Sequence, residues 1–387
     1  MTVPPDSIAG RPVRTDRFDP LQRELRFHMR GMPDLLPLYV HPRHVEVEAE
    51  SESWVRRMLG DCFSDGELAT FLSYRCAWWA CMGHATARDD RIQNLADWNM
   101  FIWAFDDTVA WRRAETSTER GLRSTYTAAF TILNGGRLPA HRASPLTRAF
   151  ADIWDRFASD MSSAMHERMR RVIDRLLATW PAEDELRHHG RIPDFEAYLN
   201  LHRASGGSDW VPILTEYGLG IDLSDVIADR LDLIEANQHL ADYFLMENGI
   251  FGLLKDIHSK EINPVLALLD TGRYSVQEAV DQVHALAVAA VANYVRIRDR
   301  ICSGNDRADI STYVTHLGYQ FTSAIYWMRV SPRYNGPGLD WDGTPTGELT
   351  VNVPESTVHF TPDPVTSGVP RYASPRFPPT HRPDSSR

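Results

Sequence analysis

The sequence predicts an all-α fold organised as a single helical bundle. Three observations carry that prediction. Apolar residues recur at three- and four-residue spacing over long stretches. Strand signals are scarce. The segments between candidate helices are short, which favours antiparallel neighbours in a bundle. The chain has 387 residues, 43% of them hydrophobic, enough for a large core.

Taken in order, residues 1–32 read as a flexible N-terminal arm and residues 33–334 as the helical body. Helices are expected near 52–60, 66–87, 90–113, 117–133, 146–179, 194–204, 208–218, 224–259, 276–302 and 308–329. Ser64-Asp65-x-Glu67 is an N-terminal helix signal. Asn134-Gly135-Gly136 and Pro181 should end the helices before them. The stretch 146–179 is long enough to bend or split. Residues 335–387 hold ten of the chain's 24 prolines. That tail is rich in Ser, Thr, Asp and Gly, buries too little apolar surface to offset its ordering entropy, and is predicted to be disordered.

Composition narrows the partners. A net charge of −11 and the lack of any Lys/Arg run argue against a nucleic-acid ligand. The longest apolar run, Val283–Val295, contains His284 and Asn293 and is shorter than the ~20 residues a membrane helix needs. MTVPPDSIAG has no apolar stretch of the kind a secretory signal carries. Cys62, Cys76, Cys81 and Cys302 show no CxxC spacing, so reduced thiols in a cytoplasmic protein are expected. A homodimer is left open.

Four groups of residues could act together. Asp106 and Asp107 sit in the apolar helical stretch FIWAFDDTVA, with Trp103 one turn before Asp106. Carboxylates in such surroundings need a cation or hydrogen-bond donors, and hard oxygen ligands suit Mg²⁺. Asn248, Gly252 and Asp256 fall at i, i+4 and i+8, on one helix stripe. An amide oxygen and a carboxylate there could share a cation, Gly252 leaving room for a water ligand, while Lys255 could reach a phosphate. Gly249 and Gly252 each cost about 1 kcal/mol in a helix, so each needs a packing or site reason. In Arg203-Ala-Ser-Gly206-Gly207-Ser208-Asp209 the glycine pair should break a helix, Ser208 or Asp209 can cap the next, and Arg203 offers a forked donor. Arg333-Tyr334 follows the last helix and could grip a diphosphate.

Together these resemble the bacterial class I terpene synthase family, over roughly residues 33–334. Trp103-x-x-Asp106-Asp107 resembles the family's aromatic-x-x-Asp-Asp motif. Residues 248–256 match its Asn-Asp-x-x-Ser-x-x-Lys-Glu motif in degraded form. The family carries a diphosphate-sensing arginine about 46 residues before that motif; Arg203 stands 45 before Asn248. Trp327 followed six residues later by Arg333-Tyr334 matches its C-terminal signature, and MPDLLPLYVHPRH…SWVRRML resembles its lead-in. The sequence departs from the pattern at Ala110 and Trp111, where a third acid is usual, at Gly249 for aspartate, at Gly252 for the motif serine and at Asp256 for glutamate.

The resemblance implies a class I terpenoid synthase bundle around a deep apolar cavity. It implies three Mg²⁺ held by Asp106, with Asp107 beside it, and by Asn248, Asp256 and a water at Gly252. Arg203, Lys255, Arg333 and Tyr334 would clamp the substrate diphosphate. Gly206 or Gly207 would present a carbonyl to the carbocation, and Trp78, Trp79, Trp103, Phe251 and Trp327 are the candidate aromatic faces. The implied reaction is Mg²⁺-dependent cyclisation of farnesyl or geranylgeranyl diphosphate. A chain-elongating prenyltransferase and a non-catalytic isoprenoid-diphosphate binder remain as alternatives.

Overall fold

The structure, a computed structural model, describes residues 11–12, 23–33, 36–115, 119–139, 143–189, 191–206, 208–304, 306–336, 341, 343–364 and 375–378, with only the backbone at 11–12, 108–115, 119–124 and 187–188. In chain order the elements are β1 Arg11–Pro12, β2 Glu24–Met29, α1 His44–Leu59, α2 Asp65–Ser73, α3 Cys76–Gly83, α4 Ile92–Glu115, α5 Glu119–Leu133, α6 Pro145–Asp160, α7 Ser163–His188, β3 Arg191–Ile192, α8 Phe195–Ser205, α9 Trp210–Leu219, α10 Leu231–Phe251, α11 Leu253–Ser259, α12 Pro264–Asp270, α13 Val276–Ser303, α14 Ala308–Leu317, α15 Tyr319–Val330, α16 Pro332–Asn335, β4 Gly347–Asn352 and β5 Thr357–Pro362.

The bundle forms around buried aromatic and aliphatic side chains. α4 packs on α1, α3 and α6, and α10 lies along α13 and α15. Trp98, Trp327 and Tyr243 are fully buried between them. Ser64 and Glu67 complete a reciprocal capping box at the start of α2. The long segments divide where the backbone demands it: α2 and α3 at Arg75, whose φ is 55°, and α10 and α11 at Gly252. α12 escapes the helical periodicity because it has only seven residues, yet Asn263-Pro264 is a strong start signal. The Asn263 Oδ1 accepts from the backbone N–H of Val265 at 2.9 Å and of Leu266 at 3.2 Å. Pro181, expected to end a helix, lies inside α7.

The arm and the tail depart most from expectation. β2, from the segment read as loose, pairs antiparallel with β4, and β4 with β5, from the segment read as disordered. Alternation explains it: Leu25, Phe27 and Met29 on β2 and Leu349 and Val351 on β4 are buried while their neighbours are not, the period-two pattern of a half-covered sheet. The proline count concealed these strands, whose interiors contain none. The sheet rests on α13, where the His28 N–H donates to Gln277 Oε1 at 2.7 Å and Arg30 pairs with Asp281 at 2.7 and 3.1 Å. From the bundle, buried Arg329 donates to the Pro345 carbonyl at 2.8 Å and stacks near Phe251, Trp341 and Phe360. The tail therefore braces the turn that carries Arg333 and Tyr334.

Candidate active site

A cavity of about 160 Å³ opens among α3, α4, α7, α8, α9, α10, α11 and α15. Trp79, Ile102, Trp103, Trp210, Leu214 and Phe244 give it apolar walls, while Asp106, Asn248, Lys255, Asp256, Glu261 and Arg333 bring polar and charged groups to the same space.

On one wall, α4 carries Asp106 and Asp107. The Arg333 guanidinium, 2% exposed, donates to Asp106 Oδ2 at 2.9 Å and to Asp107 Oδ1 at 2.6 Å. It also lies 4.2 Å from the Trp103 ring centre, a cation–π contact that an apolar surrounding strengthens. Burial pushes the Asp107 carboxyl up, with Arg333 opposing and Asp106 adding to the rise. Asp107 itself lies behind the cavity lining. Tyr334 is held by burial as a neutral phenol, pushed up to about 12, and its hydroxyl accepts from the Asn248 amide at 2.9 Å. This bond ties α16 to the opposite wall.

That opposite wall is α10 and α11. A Cβ on Gly252 would stand 2.7 Å from the Asn248 carbonyl and 3.2 Å from Asp256 Oδ2. The space expected to admit a water at position 252 thus borders directly on the Asp256 carboxylate. Gly249 is needed for a different reason, the close approach of the Pro264 ring. Asp256 is almost buried and rises to about 6, chiefly through burial, with Lys255 opposing. It accepts from Lys255 Nζ at 2.7 Å and from the Asn263 amide at 2.8 Å. Lys255 also meets Glu261 at 2.5 Å. Burial disfavours its charge, but the two carboxylates outweigh that and keep it protonated.

The helix break lies where the glycines predict it, between α8 and α9, and Gly206 lines the cavity; Gly207 lies outside the described residues. Arg203 does not reach the cavity. It forks onto Asp242 of α10 at 2.8 and 3.0 Å, where Gln238 joins it at 2.9 Å. One residue is about 100° of helix rotation, and that step brings His202 to the cavity instead. Sequence reasoning missed His202 because a histidine beside an arginine looks like the lesser phosphate ligand. His202 Nδ1 lies 2.8 Å from Glu183 Oε1. Ser205 donates to the same oxygen. Glu183 sits beyond Pro181, where α7 was expected to have ended.

Of the aromatic candidates, Trp79 and Trp103 line the cavity. Trp327 lies behind them, stacked on Trp79 at 4.8 Å and 7°. Trp78 faces Tyr326 and Arg75, and Phe251 faces Arg329, so both stand outside the lining. Trp180, Trp210 and Phe244, none of them singled out from sequence, take their place.

The donor chemistry fits both a hard cation and an anion. Two α4 carboxylates, an amide oxygen on α10 and a carboxylate on α11 form an oxygen-only set. Burial destabilises the charge on two of those carboxylates, which a divalent cation would relieve. Among the described residues no three acidic, His or Cys side chains form a cage. Divided ligands of this kind suit Mg²⁺ that completes its shell with substrate phosphates and water. Conversely, the N–H groups of Arg333 Nε, Trp79 Nε1 and Trp103 Nε1 are buried without an acceptor among the described residues, donors that an oxyanion could satisfy.

Known proteins match this chain in sequence and in fold. The family model described as terpene synthase family 2, C-terminal metal binding, matches residues 97–293, half of the chain. Pristinol synthase of Streptomyces pristinaespiralis is 24% identical over 368 residues, covering 90% of this chain and 97% of that protein. The microbial terpene synthase-like protein 13 of Selaginella moellendorffii is 23% identical over 318 residues, covering 81% and 88%. Among solved structures, linalool/nerolidol synthase from Streptomyces clavuligerus superimposes with a TM-score of 0.68 at 22% identity, over 76% of this chain and 99% of that one. The same enzyme is known in complex with 2-fluorogeranyl diphosphate.

Proposed function

Because the chain belongs to terpene synthase family 2 and is a class I terpene cyclase, we propose that it uses Mg²⁺, three ions, to cyclise farnesyl or geranylgeranyl diphosphate to a cyclic terpene and diphosphate. The observation that carries this reading is that Asp106 and Asn248, far apart in sequence, line one cavity whose other walls are aromatic and aliphatic.

Asp106, backed by Asp107, and Asn248 with Asp256 are the residues that would hold the divalent cations. Those cations, when bound, neutralise the leaving diphosphate as the C–O bond breaks. Arg333 and Lys255 donate charged hydrogen bonds to the same group, and Tyr334, neutral, donates its phenolic proton. Arg333 Nε, Trp79 Nε1 and Trp103 Nε1, buried without an acceptor among the described residues, are donors that a developing anion could use. Trp79 and Trp103 present π-faces to the migrating cation, worth up to about 2 kcal/mol each in a dry site. Gly206, which lines the cavity, is the candidate for a backbone carbonyl directed at the cation. The apolar walls keep out water that would quench the cation early.

Among the described residues no helix is long and apolar enough to cross a membrane. Cys76 and Cys81, buried, and the exposed Cys302 are in no disulfide, which supports a reducing compartment, the cytoplasm. One observation favours a second reading, a non-catalytic diphosphate binder: Asp256 is already partly neutralised by Lys255. Gas chromatography–mass spectrometry after incubation with each diphosphate separates the two. A cyclic product that requires Mg²⁺ is expected; no product from either substrate would exclude the cyclase.

A further inference from the structure

His84 stands at the end of the cavity remote from the charged rim, and the reaction described above gives it no task. It is the C-cap residue of α3 and lines the cavity. Hydrogen bonds at both ends of α3 fix its depth. At the rim end, the Tyr74 carbonyl accepts from Trp327 Nε1 at 2.7 Å and from the Ser331 hydroxyl at 3.1 Å, two residues before the arginine that meets Asp106 and Asp107. At the other end, the Gln320 amide donates to the Gly83 carbonyl at 3.0 Å. α3 and α15 therefore run antiparallel, and the eight residues Cys76–Gly83 carry the backbone about 12 Å from the rim before His84 is reached. Trp79, midway along α3, lies between the two levels. A Cβ on Gly83 would collide with the Gln320 amide, so glycine there is what lets that amide lie against α3 and beside the imidazole. The two ring nitrogens stand 3.4 and 3.3 Å from the Gln320 nitrogen, too far for either to be strongly engaged.

Resting on the cyclase reading, we propose that His84 is the base that ends the reaction by taking a proton from the last carbocation, which makes the product an olefin. A hydrogen on a carbon beside the cationic centre leaves as H⁺. The C–H electron pair becomes the new C=C bond, and the imidazole lone pair takes the proton. Water takes it in turn when the product departs. Two features suit the group to this step. Burial pushes the imidazole down to about 3, so it is neutral at physiological pH and sets no positive charge against a carbocation. A base that weak suffices, because an alkyl cation is a far stronger acid than an imidazolium. Its depth also separates the two ends of the reaction: ionisation belongs to the rim, with its carboxylates and Arg333, and proton removal to the floor, where water is kept out. Gln320 touches the ring and acts through it, and is a positioning residue.

The test incubates the full-length protein with farnesyl or geranylgeranyl diphosphate and Mg²⁺ in ¹⁸O-labelled water. The rate of diphosphate release and the product profile by gas chromatography–mass spectrometry are read together. Wild type is compared with His84→Gln, His84→Phe and His84→Leu. Wild type should give mainly an olefin free of ¹⁸O. The three variants should release diphosphate at close to the wild-type rate, because the C–O bond breaks at the rim. In His84→Phe and His84→Leu, which lack a lone pair, the share of the wild-type olefin should fall roughly tenfold or more, in favour of other olefins and ¹⁸O-labelled alcohols. His84→Gln, whose amide oxygen accepts a proton, should lose less. If one of the two apolar variants does not fold, the other carries the same expectation. A purely steric role gives the opposite order, with His84→Phe nearest to wild type, and that order overturns the proposal. So does an ¹⁸O-labelled alcohol as the main wild-type product. Gln320→Leu keeps the imidazole but frees it to turn, and should lower the olefin share without changing diphosphate release; an unchanged share removes its positioning role. If the wild type cyclises and the apolar variants keep its profile, only the role of His84 falls. If it releases no diphosphate from either substrate, the cyclase reading falls with it.

Discussion

The two walls of the cavity hold their carboxylates in opposite ways. On α4, Asp106 and Asp107 share a buried arginine that reaches across from α16, so both acids are held by a group from another helix that can turn to a ligand. On α11, Asp256 is held by the adjacent Lys255 and by Asn263 at the start of α12, partners close by in the chain. The first wall keeps its negative charge available to an incoming cation; the second has spent much of it internally. Cation binding should therefore depend more on α4 than on α10 and α11.

That asymmetry can be broken or sharpened in steps. Asp106→Ala should cost the most, roughly 10³-fold in kcat/KM or about 4 kcal/mol of barrier, read as product formed with Mg²⁺. Arg333→Ala should cost roughly 10²-fold, the scale of losing one oxyanion donor, and should also raise the Ki of inorganic diphosphate as an inhibitor. Asp256→Asn should cost about tenfold, near 1.4 kcal/mol, because Lys255 keeps Glu261 as a partner. If Asp256→Asn proves as damaging as Asp106→Ala, the walls are equivalent and the asymmetry is wrong. Gly252→Ser restores the family's motif serine, yet it should lower stability by about 1–3 kcal/mol in urea denaturation, since its Cβ crowds Asp256 and the Asn248 carbonyl. A gain in activity from that variant would mean that the Asp256 carboxylate yields its place readily.

The same contrast decides what was legible in the sequence. Asp106 and Asp107 stand out because two acids in an apolar helix are costly unless a partner exists, and that cost is visible in one dimension. The bundle itself was readable from periodicity, as was the break before α9 from its glycines. Arg203 and His202 were not separable, because adjacent residues on α8 differ only by a rotation that tertiary packing against Asp242 sets. Trp78 and Phe251 lost their places in the cavity for a similar reason: each packs against an arginine outside it. β2, β4 and β5 were hidden because each strand is stable only once paired with the others, and the arm and the tail that supply them lie at opposite ends of the chain.

The most direct measurement is a crystal structure of the protein with Mg²⁺ and inorganic diphosphate. Cations between the diphosphate and Asp106 on one side and Asn248 or Asp256 on the other are expected, with Arg333 turned from the aspartates toward the phosphate oxygens. Diphosphate bound elsewhere, or Arg333 still locked onto Asp106 and Asp107 with no cation between the walls, would contradict that expectation.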